Sequence, residues 1–287
     1  MIEKFKNIVV IGAGTMGSGI AQTFAQYGYS VFLYDQNKKV LDKALSSITG
    51  SLDKQIESNI ISEAQKNNAL KNLVFSIALK DIPQKSDLVI EAIWENKEAK
   101  LLLFNELNNY FDKETIFASN TSSIPITELA ASGRPDRFLG IHFMNPVPKM
   151  KLVEIIEGNL TDKDITASIR SLITDIQKIP VTVSDYPGFV ANRILIPMIN
   201  EAIFVLYEGI ASAEEIDKVM KFGMNHPMGP LALADYIGLD VCLSIMEVLY
   251  NGFNDSKYRP CPLLKKMVAA NKLGRKTNEG FFKYNMV

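Results

Sequence analysis

Ile8-Val9-Val10-Ile11 runs straight into Gly12-Ala13-Gly14-Thr15-Met16-Gly17, and a helical pattern (Ile20, Phe24, Ala25) begins at once. An apolar β-rich run, a glycine turn and a helix in that order make one strand–turn–helix unit. In a doubly wound sheet the unit places free backbone N–H groups and the positive end of a helix where a pyrophosphate can sit. Gly12 permits the tight turn, Gly14 lets phosphates approach the backbone, and Gly17 lets the helix pack close to the sheet. Met16, inside the turn, is expected on the same ligand. Glycine-rich turns also cap ordinary helices, so the downstream context has to decide.

That context is favourable. Ser30 to Tyr34 reads as a second strand and ends at Asp35, about the distance at which a carboxylate meets an adenosine ribose. Such a carboxylate accepts both ribose hydroxyls and repels a 2′-phosphate, which selects NAD over NADP. The competing reading of Asp35 is a helix cap, since Asn37-Lys38-Lys39 follows.

A length of 287 residues allows one large domain or two modest ones. The net charge of −1, with both signs mixed, gives no basic stripe and so no nucleic-acid partner. The most apolar long segment, Phe189 to Ile210, holds Arg193, Pro197, Asn200 and Glu201, which makes it a buried helix and no membrane span. Cys242 and Cys261 form neither a disulfide framework nor a metal site, and a reduced cytoplasmic protein without a targeting leader is expected. With only His142 and His226 in the chain, the search for a general base is short.

Strands are predicted at 74–77, 87–91, 115–118, 138–143, 153–156 and 180–183. A long helix from Val40 to Ile56 and a second from Ser62 to Leu70 form a helical hairpin. Helices follow over 97–111, with Leu101, Leu102, Phe104 and Leu107 as the apolar stripe, and over 165–177. Strands alternating with helices imply a mainly parallel sheet. Beyond Asp185-Tyr186-Pro187-Gly188 only helices are predicted: 190–208, 212–222, 230–250 and 262–271. Ser212 opens a capping box in outline, and Pro197 is expected to bend its helix. The expected fold is therefore α/β: a Rossmann-type, doubly wound, mainly parallel sheet with a helical hairpin insertion over 1–185, then an all-α domain over 186–287.

In that topology ligands bind at the carboxyl ends of the strands. The fifth strand ends in Ser119-Asn120-Thr121 and the sixth in His142-Phe143-Met144-Asn145, so polar side chains from both face the nicotinamide end of a bound cofactor. His142 can exchange a proton near neutral pH, and Glu154 can accept its other ring N–H and hold the tautomer. Ser119 and Asn192 offer neutral hydrogen bonds to a substrate oxygen. Taken singly, each has a plainer reading: a strand-end histidine, an outward edge-strand glutamate, a turn serine, a helix-face amide. His226 reads as a loop residue with no catalytic role.

Several segments together resemble the 3-hydroxyacyl-CoA dehydrogenase family and its stand-alone bacterial 3-hydroxybutyryl-CoA members. They are Phe117-Ala-Ser-Asn-Thr-Ser-Ser123, Gly140-Ile-His-Phe-Met-Asn-Pro-Val-Pro148, Leu152-Val-Glu-Ile-Ile156, Pro187-Gly-Phe-Val-Ala-Asn-Arg193 and Gly274-Arg-Lys-Thr277. The resemblance implies oxidation of an (S)-3-hydroxyacyl-CoA by NAD, with a helical C-terminal domain that joins two copies as a homodimer or higher homo-oligomer. Position by position it makes His142 the general base, Glu154 its partner, and Ser119 and Asn192 the substrate-oxygen contacts. It places Glu95, Lys100, Asn145, Lys276 and also Ser119 on the cofactor, and Ser51 and Lys54 near the CoA moiety.

Glu95 and Lys100 need not share a helix face, so a solvated charged face competes with that role, as a loop cap does for Lys276. Ser58-Asn59-Ile60-Ile61 stands where the family's hairpin often carries lysines, which leaves Lys54 and Lys66 for CoA phosphates. Asn271 and Asn278 replace usual glycines at turns that a left-handed asparagine can still make. The rival readings are a same-fold dehydrogenase for a carrier-protein-bound or CoA-free hydroxy acid, and a non-catalytic NAD-binding protein.

Overall fold

The computed structural model describes residues 5–284, and the chain divides into two compact units, Met1–Asp185 and Tyr186–Val287. The first unit runs β1 (Asn7–Ile11), α1 (Thr15–Gln26), β2 (Ser30–Tyr34), α2 (Lys38–Glu57), α3 (Glu63–Lys71), β3 (Leu73–Ser76) and β4 (Leu88–Glu91). It continues through α4 (Lys97–Tyr110), β5 (Ile116–Ser119), α5 (Ile126–Ala130), β6 (Phe138–Phe143), β7 (Leu152–Glu157), α6 (Lys163–Asp175) and β8 (Ile179–Ser184). The strands form one eight-stranded sheet in the order β3-β2-β1-β4-β5-β6-β7-β8. Every neighbouring pair is parallel except β6–β7. Strand ends fall within one or two residues of the sequence reading, because ladder hydrogen bonds set them and hydrophobicity does not.

Side chains alternate across a strand, so each face of the sheet has its own composition. One face carries Ile8, Val10, Leu88, Ile90, Ile116, Ala118, Leu139 and Ile141, packed with Phe24 of α1 and Ile169 of α6. On the other, Phe117 and Phe138 pack on Phe104 of α4, with centroids at 5.9 and 4.6 Å. Arg134 stacks over Phe117 and donates to the carbonyls of Asn108, Phe111 and Thr115, holding the chain that leaves α4.

The apolar stripe of α4 needs one correction. Phe104 and Leu107 are buried, whereas Leu102 is 72% exposed and Lys100 lies inside at 1%. Residues two apart on a helix point roughly opposite ways, so an inward Phe104 sends Leu102 out. In the hairpin, Asn37 caps α2 and a reciprocal Ser62–Gln65 capping box opens α3.

The second unit contains α7 (Ala191–Tyr207), α8 (Ala213–Lys218), a π-helical turn at Val219–Gly223, α9 (Pro230–Ile237), α10 (Leu239–Phe253) and α11 (Pro262–Ala269). Their core is Ile199, Ile203, Leu231, Leu239, Cys242, Met246, Leu249 and Leu264. Assignment of α7 is unbroken through Pro197. Asn200 on this helix is buried because its amide accepts from Cys261 N–H (2.8 Å) and donates to Arg259 O (3.1 Å). Ser212 accepts from Glu215 N–H, but Glu215 turns to Lys218 and closes no box.

The single helix expected over 230–250 is two. Gly238 breaks it at φ 105°, and Leu239 N–H turns to Leu273 O. An apolar pattern cannot show this, because both halves bury the same face. The C-terminal segment adds two isolated β-bridges, Gly274–Glu279 and Glu279–Lys283, with Asp235 accepting from Phe281 and Phe282 N–H. Asn271 and Asn278 adopt the left-handed φ of 57° and 60°. Both cysteines are buried free thiols, and burial pushes Cys242 up to about 12. Among the described residues no helix is long and apolar enough to cross a membrane.

Candidate active site

The glycine turn after β1 has the form its spacing requires. Gly12 sits at φ 99°, and a Cβ on Gly17 would lie 1.8 Å from the Gly12 carbonyl oxygen. Nothing stands within 4 Å of the Cβ position of Gly14, the exposed N-cap of α1. With no side chain over them, the first N–H groups of α1 offer an anion seat. Met16 is half-buried against the core beneath. Asp35 closes the far side: Oδ2 accepts from Ala13 N–H at 3.0 Å and Oδ1 from Asn37 N–H at 2.9 Å. Its carboxylate therefore stands against the glycine turn as well as at the start of α2. The donor set and the cradle fit a dinucleotide.

Register gathers the next group. Glu91 pairs with Ser119 across β4–β5, Ser119 with Gly140 across β5–β6, and His142 with Glu154 across β6–β7. Paired residues, and residues two apart, share a face. Glu91, Ser119, His142 and Glu154 therefore line one face at the strand ends. His142 Nδ1 lies 2.9 Å from Glu154 Oε2, with the side chains 10% and 2% exposed. β8 covers the outer flank of β7, so Glu154 is not on an edge strand. A buried carboxylate on Nδ1 keeps the ring proton there and leaves the lone pair on Nε2.

Glu91 is a functional candidate that the sequence reading missed. It is fully buried; Oε1 accepts from Ile93 N–H (2.7 Å) and Lys100 Nζ (2.6 Å), and Oε2 lies 2.5 Å from Ser119 Oγ. Lys100 also reaches Glu95 Oε2 at 3.2 Å. Glu95 Oε1 in turn accepts from Thr121 Oγ1 (2.6 Å), Ser122 N–H (2.9 Å) and Ser123 Oγ (2.9 Å). Glu95 and Lys100 are thus partners in one network, with Lys100 buried and Glu95 at its exposed rim. Burial raises the Glu91 carboxyl above its ordinary range against the pull of Lys100, Ser119 and Ile93. Burial also works upward on Glu95, but Lys100, Thr121, Ser122 and Ser123 outweigh it and hold that carboxyl low. The available signal for Glu91 was a lone charge closing the apolar strand Leu-Val-Ile-Glu.

Asn120 was missed as well: its Oδ1 accepts from Phe143 N–H at 2.9 Å, tying the ends of β5 and β6. Asn145, exposed, follows β6 in the segment that Lys178 anchors through the Val147 and Met150 carbonyls, both at 2.7 Å. On α2, Ser51 accepts from Gln22 of α1 at 3.1 Å, and Lys54 is exposed one turn on. Lys66 is held by Asp53, so of Lys54 and Lys66 it is Lys66 whose charge is already committed to a carboxylate. Asn192 and Lys276 belong to the second unit: Asn192 on the first turn of α7, Lys276 with its ammonium 2.5 Å from both oxygens of Asp240.

Residues 7–186 match the family described as 3-hydroxyacyl-CoA dehydrogenase, NAD binding domain, and residues 188–284 match 3-hydroxyacyl-CoA dehydrogenase, C-terminal domain. A Bacillus subtilis (strain 168) protein named probable 3-hydroxybutyryl-CoA dehydrogenase is 51% identical, over 98% of this chain and 98% of its own. The 3-hydroxybutyryl-CoA dehydrogenase of Bradyrhizobium diazoefficiens is 50% identical over 99% of this chain and 97% of its own. The crystal structure of (S)-3-hydroxybutyryl-CoA dehydrogenase from Ralstonia eutropha is similar at a TM-score of 0.95 and 48% identity, covering 99% of this chain and 100% of that one.

Replacing Asp35 by Ser should weaken NADH by about 10- to 100-fold, the range of a lost charged hydrogen bond, and NADPH much less. Fluorescence titration with both dinucleotides checks this, and equal losses would show that Asp35 does not face the ribose. Glu95 supplies a pH test. Its folded value lies below its ordinary 4.5, so its stabilisation is complete above 4.5 and disappears as pH falls through the lowered value. Glu95→Gln should lower the urea midpoint at pH 7, with the gap to wild type closing below pH 4.5. A gap unchanged by acid would contradict the network.

Proposed function

The chain belongs to the 3-hydroxyacyl-CoA dehydrogenase family, and on that premise we propose that it interconverts (S)-3-hydroxybutyryl-CoA and acetoacetyl-CoA with NAD. The observation that carries the reading is the buried His142–Glu154 pair on the sheet face that also bears Ser119. A protein that only bound NAD would have no use for a fixed tautomer there.

Bound NAD supplies the hydride acceptor for the alcohol and, once reduced, the donor for the ketone. The Gly12–Gly17 turn would hold its pyrophosphate and Asp35 its adenosine ribose, with Met16, Glu95, Lys100, Asn145 and Lys276 as further contacts. His142 Nε2 takes the 3-hydroxyl proton in oxidation and returns it in reduction. Glu154 stabilises the imidazolium that forms between those events. Ser119 and Asn192 are the proposed contacts to the substrate oxygen, and Ser51 with Lys54 the contacts to CoA. The ~50% identical relatives named for CoA esters favour the CoA substrate over the CoA-free or carrier-bound alternative.

A homo-oligomer is proposed with this function, supported by apolar side chains exposed on the second unit. Ile194 is 67% exposed, Ile210 68% and Phe222 80%. A cytoplasmic setting is proposed from the two buried free thiols.

His142→Gln should lower NADH-dependent reduction of acetoacetyl-CoA by about 10²- to 10⁴-fold while NADH binding is kept. Retained turnover would remove the imidazole from the mechanism, and faster turnover of a CoA-free analogue would favour the alternative substrate. Light scattering after size exclusion should give a multiple of the 32.0 kDa chain mass, and a monomer would end the oligomer proposal.

A further inference from the structure

The cluster at the ends of β4 and β5 holds two carboxyl groups, Glu91 and Glu95, and one ammonium, Lys100, with Glu91 and Lys100 almost wholly buried. Two carboxyls share one ammonium, so the cluster is neutral only with one carboxyl protonated. The donors around each group decide which. Glu95 accepts on both oxygens, from four donors on Thr121, Ser122 and Ser123 and from Lys100, and its side chain is 37% exposed. That is a site for an anion. Glu91 Oε1 is saturated by Ile93 N–H and Lys100, while Oε2 meets only the Ser119 hydroxyl at 2.5 Å.

A serine hydroxyl has one hydrogen and two lone pairs. Thr121 N–H uses one lone pair of Ser119 at 3.2 Å. Were Glu91 ionised, the Ser119 hydrogen would be spent on it and nothing would remain to donate to a ligand. We propose that Glu91 is a positioning residue that keeps its proton on Oε2 and donates it to Ser119 Oγ. That leaves the hydrogen of Ser119, itself fully buried at the end of β5, unspent and able to donate to the substrate oxygen. Burial raising Glu91 while its partners lower Glu95 follows the same division. The proposal deepens the function argued above and rests on it. No atom of Glu91 touches substrate; it acts by setting the polarity of a hydroxyl that does.

The test compares wild type, Glu91→Gln, Glu91→Ala, Ser119→Ala and the double variant Glu91→Ala/Ser119→Ala in acetoacetyl-CoA reduction. NADH binding is read independently from quenching of Trp94, the only tryptophan in the chain, which is 71% exposed beside Glu95. Each alanine variant should lose about 10²-fold in kcat at saturating NADH, the size of one lost donor to a developing oxyanion. The double variant should fall within about threefold of Ser119→Ala alone, because both remove the same interaction. The glutamine variant should rescue kcat to within about threefold of wild type, since its amide donates to Ser119 and its carbonyl accepts from Lys100 and Ile93.

A glutamine variant as slow as the alanine variant would mean that Glu91 works as a carboxylate. Additive losses in the double variant, or full kcat in Glu91→Ala, would equally overturn the inference. Should Glu91→Ala not fold, the isosteric glutamine variant set against Ser119→Ala still decides. Failure of the underlying function would show first, as wild-type protein with no acetoacetyl-CoA turnover.

Discussion

Side chains in a sheet alternate with a period of two, and a one-residue slip between strands would send each of them to the opposite face. The candidate chemistry depends on that constraint. Glu91, Ser119, His142 and Glu154 come from four different strands and share a face only because β4, β5, β6 and β7 hold the observed register. The register is in turn fixed by the other face, where Ile90, Ala118, Ile141 and Ile155 have to be buried. Packing on one side of the sheet positions the polar groups on the other.

The antiparallel step between β6 and β7 matters for the same reason. It places His142 and Glu154 directly opposite each other, so the imidazole meets its carboxylate without a long side chain having to search for it. β8 then covers the outer flank of β7, which keeps Glu154 2% exposed and its hydrogen bond to the ring undiluted by water. The Glu91–Lys100–Glu95 cluster follows a different logic. There a helix delivers a buried ammonium to two strand-end carboxyls, and the carboxyls divide the available donors unequally. Low dielectric makes that inequality matter, because each unpaired charge costs far more inside than it would at the surface.

Much of this was readable beforehand. The glycine turn could be placed because local chemistry dictates it: Gly17 has no room for a side chain, and Gly12 needs a positive φ. The alternation of strands and helices, the change of pattern near residue 186, and the left-handed asparagines at 271 and 278 are likewise local properties of the chain. Two readings failed. One helix or two over 230–253 gives the same apolar stripe, and only Gly238 at φ 105° with its contacts to the C-terminal segment separates them. Leu102, expected in the buried stripe, points out, and Lys100 lies inside because it has two carboxylates to meet.

The amino-acid sequence by itself determined the fold class, the dinucleotide turn and the family, since each follows from residue types at short fixed spacings. The tertiary structure decided what those residues meet. Glu91 drew no notice in the sequence, as a single acid after three apolar residues has no periodicity to betray a role. Its partners lie 9 and 28 residues away, on a helix and a neighbouring strand, and only the folded register brings an ammonium and a serine hydroxyl within hydrogen-bonding distance of one buried carboxyl. Protonation and hydroxyl direction depend on burial and on every donor in reach, and those are properties of the assembled sheet that no local stretch of chain contains.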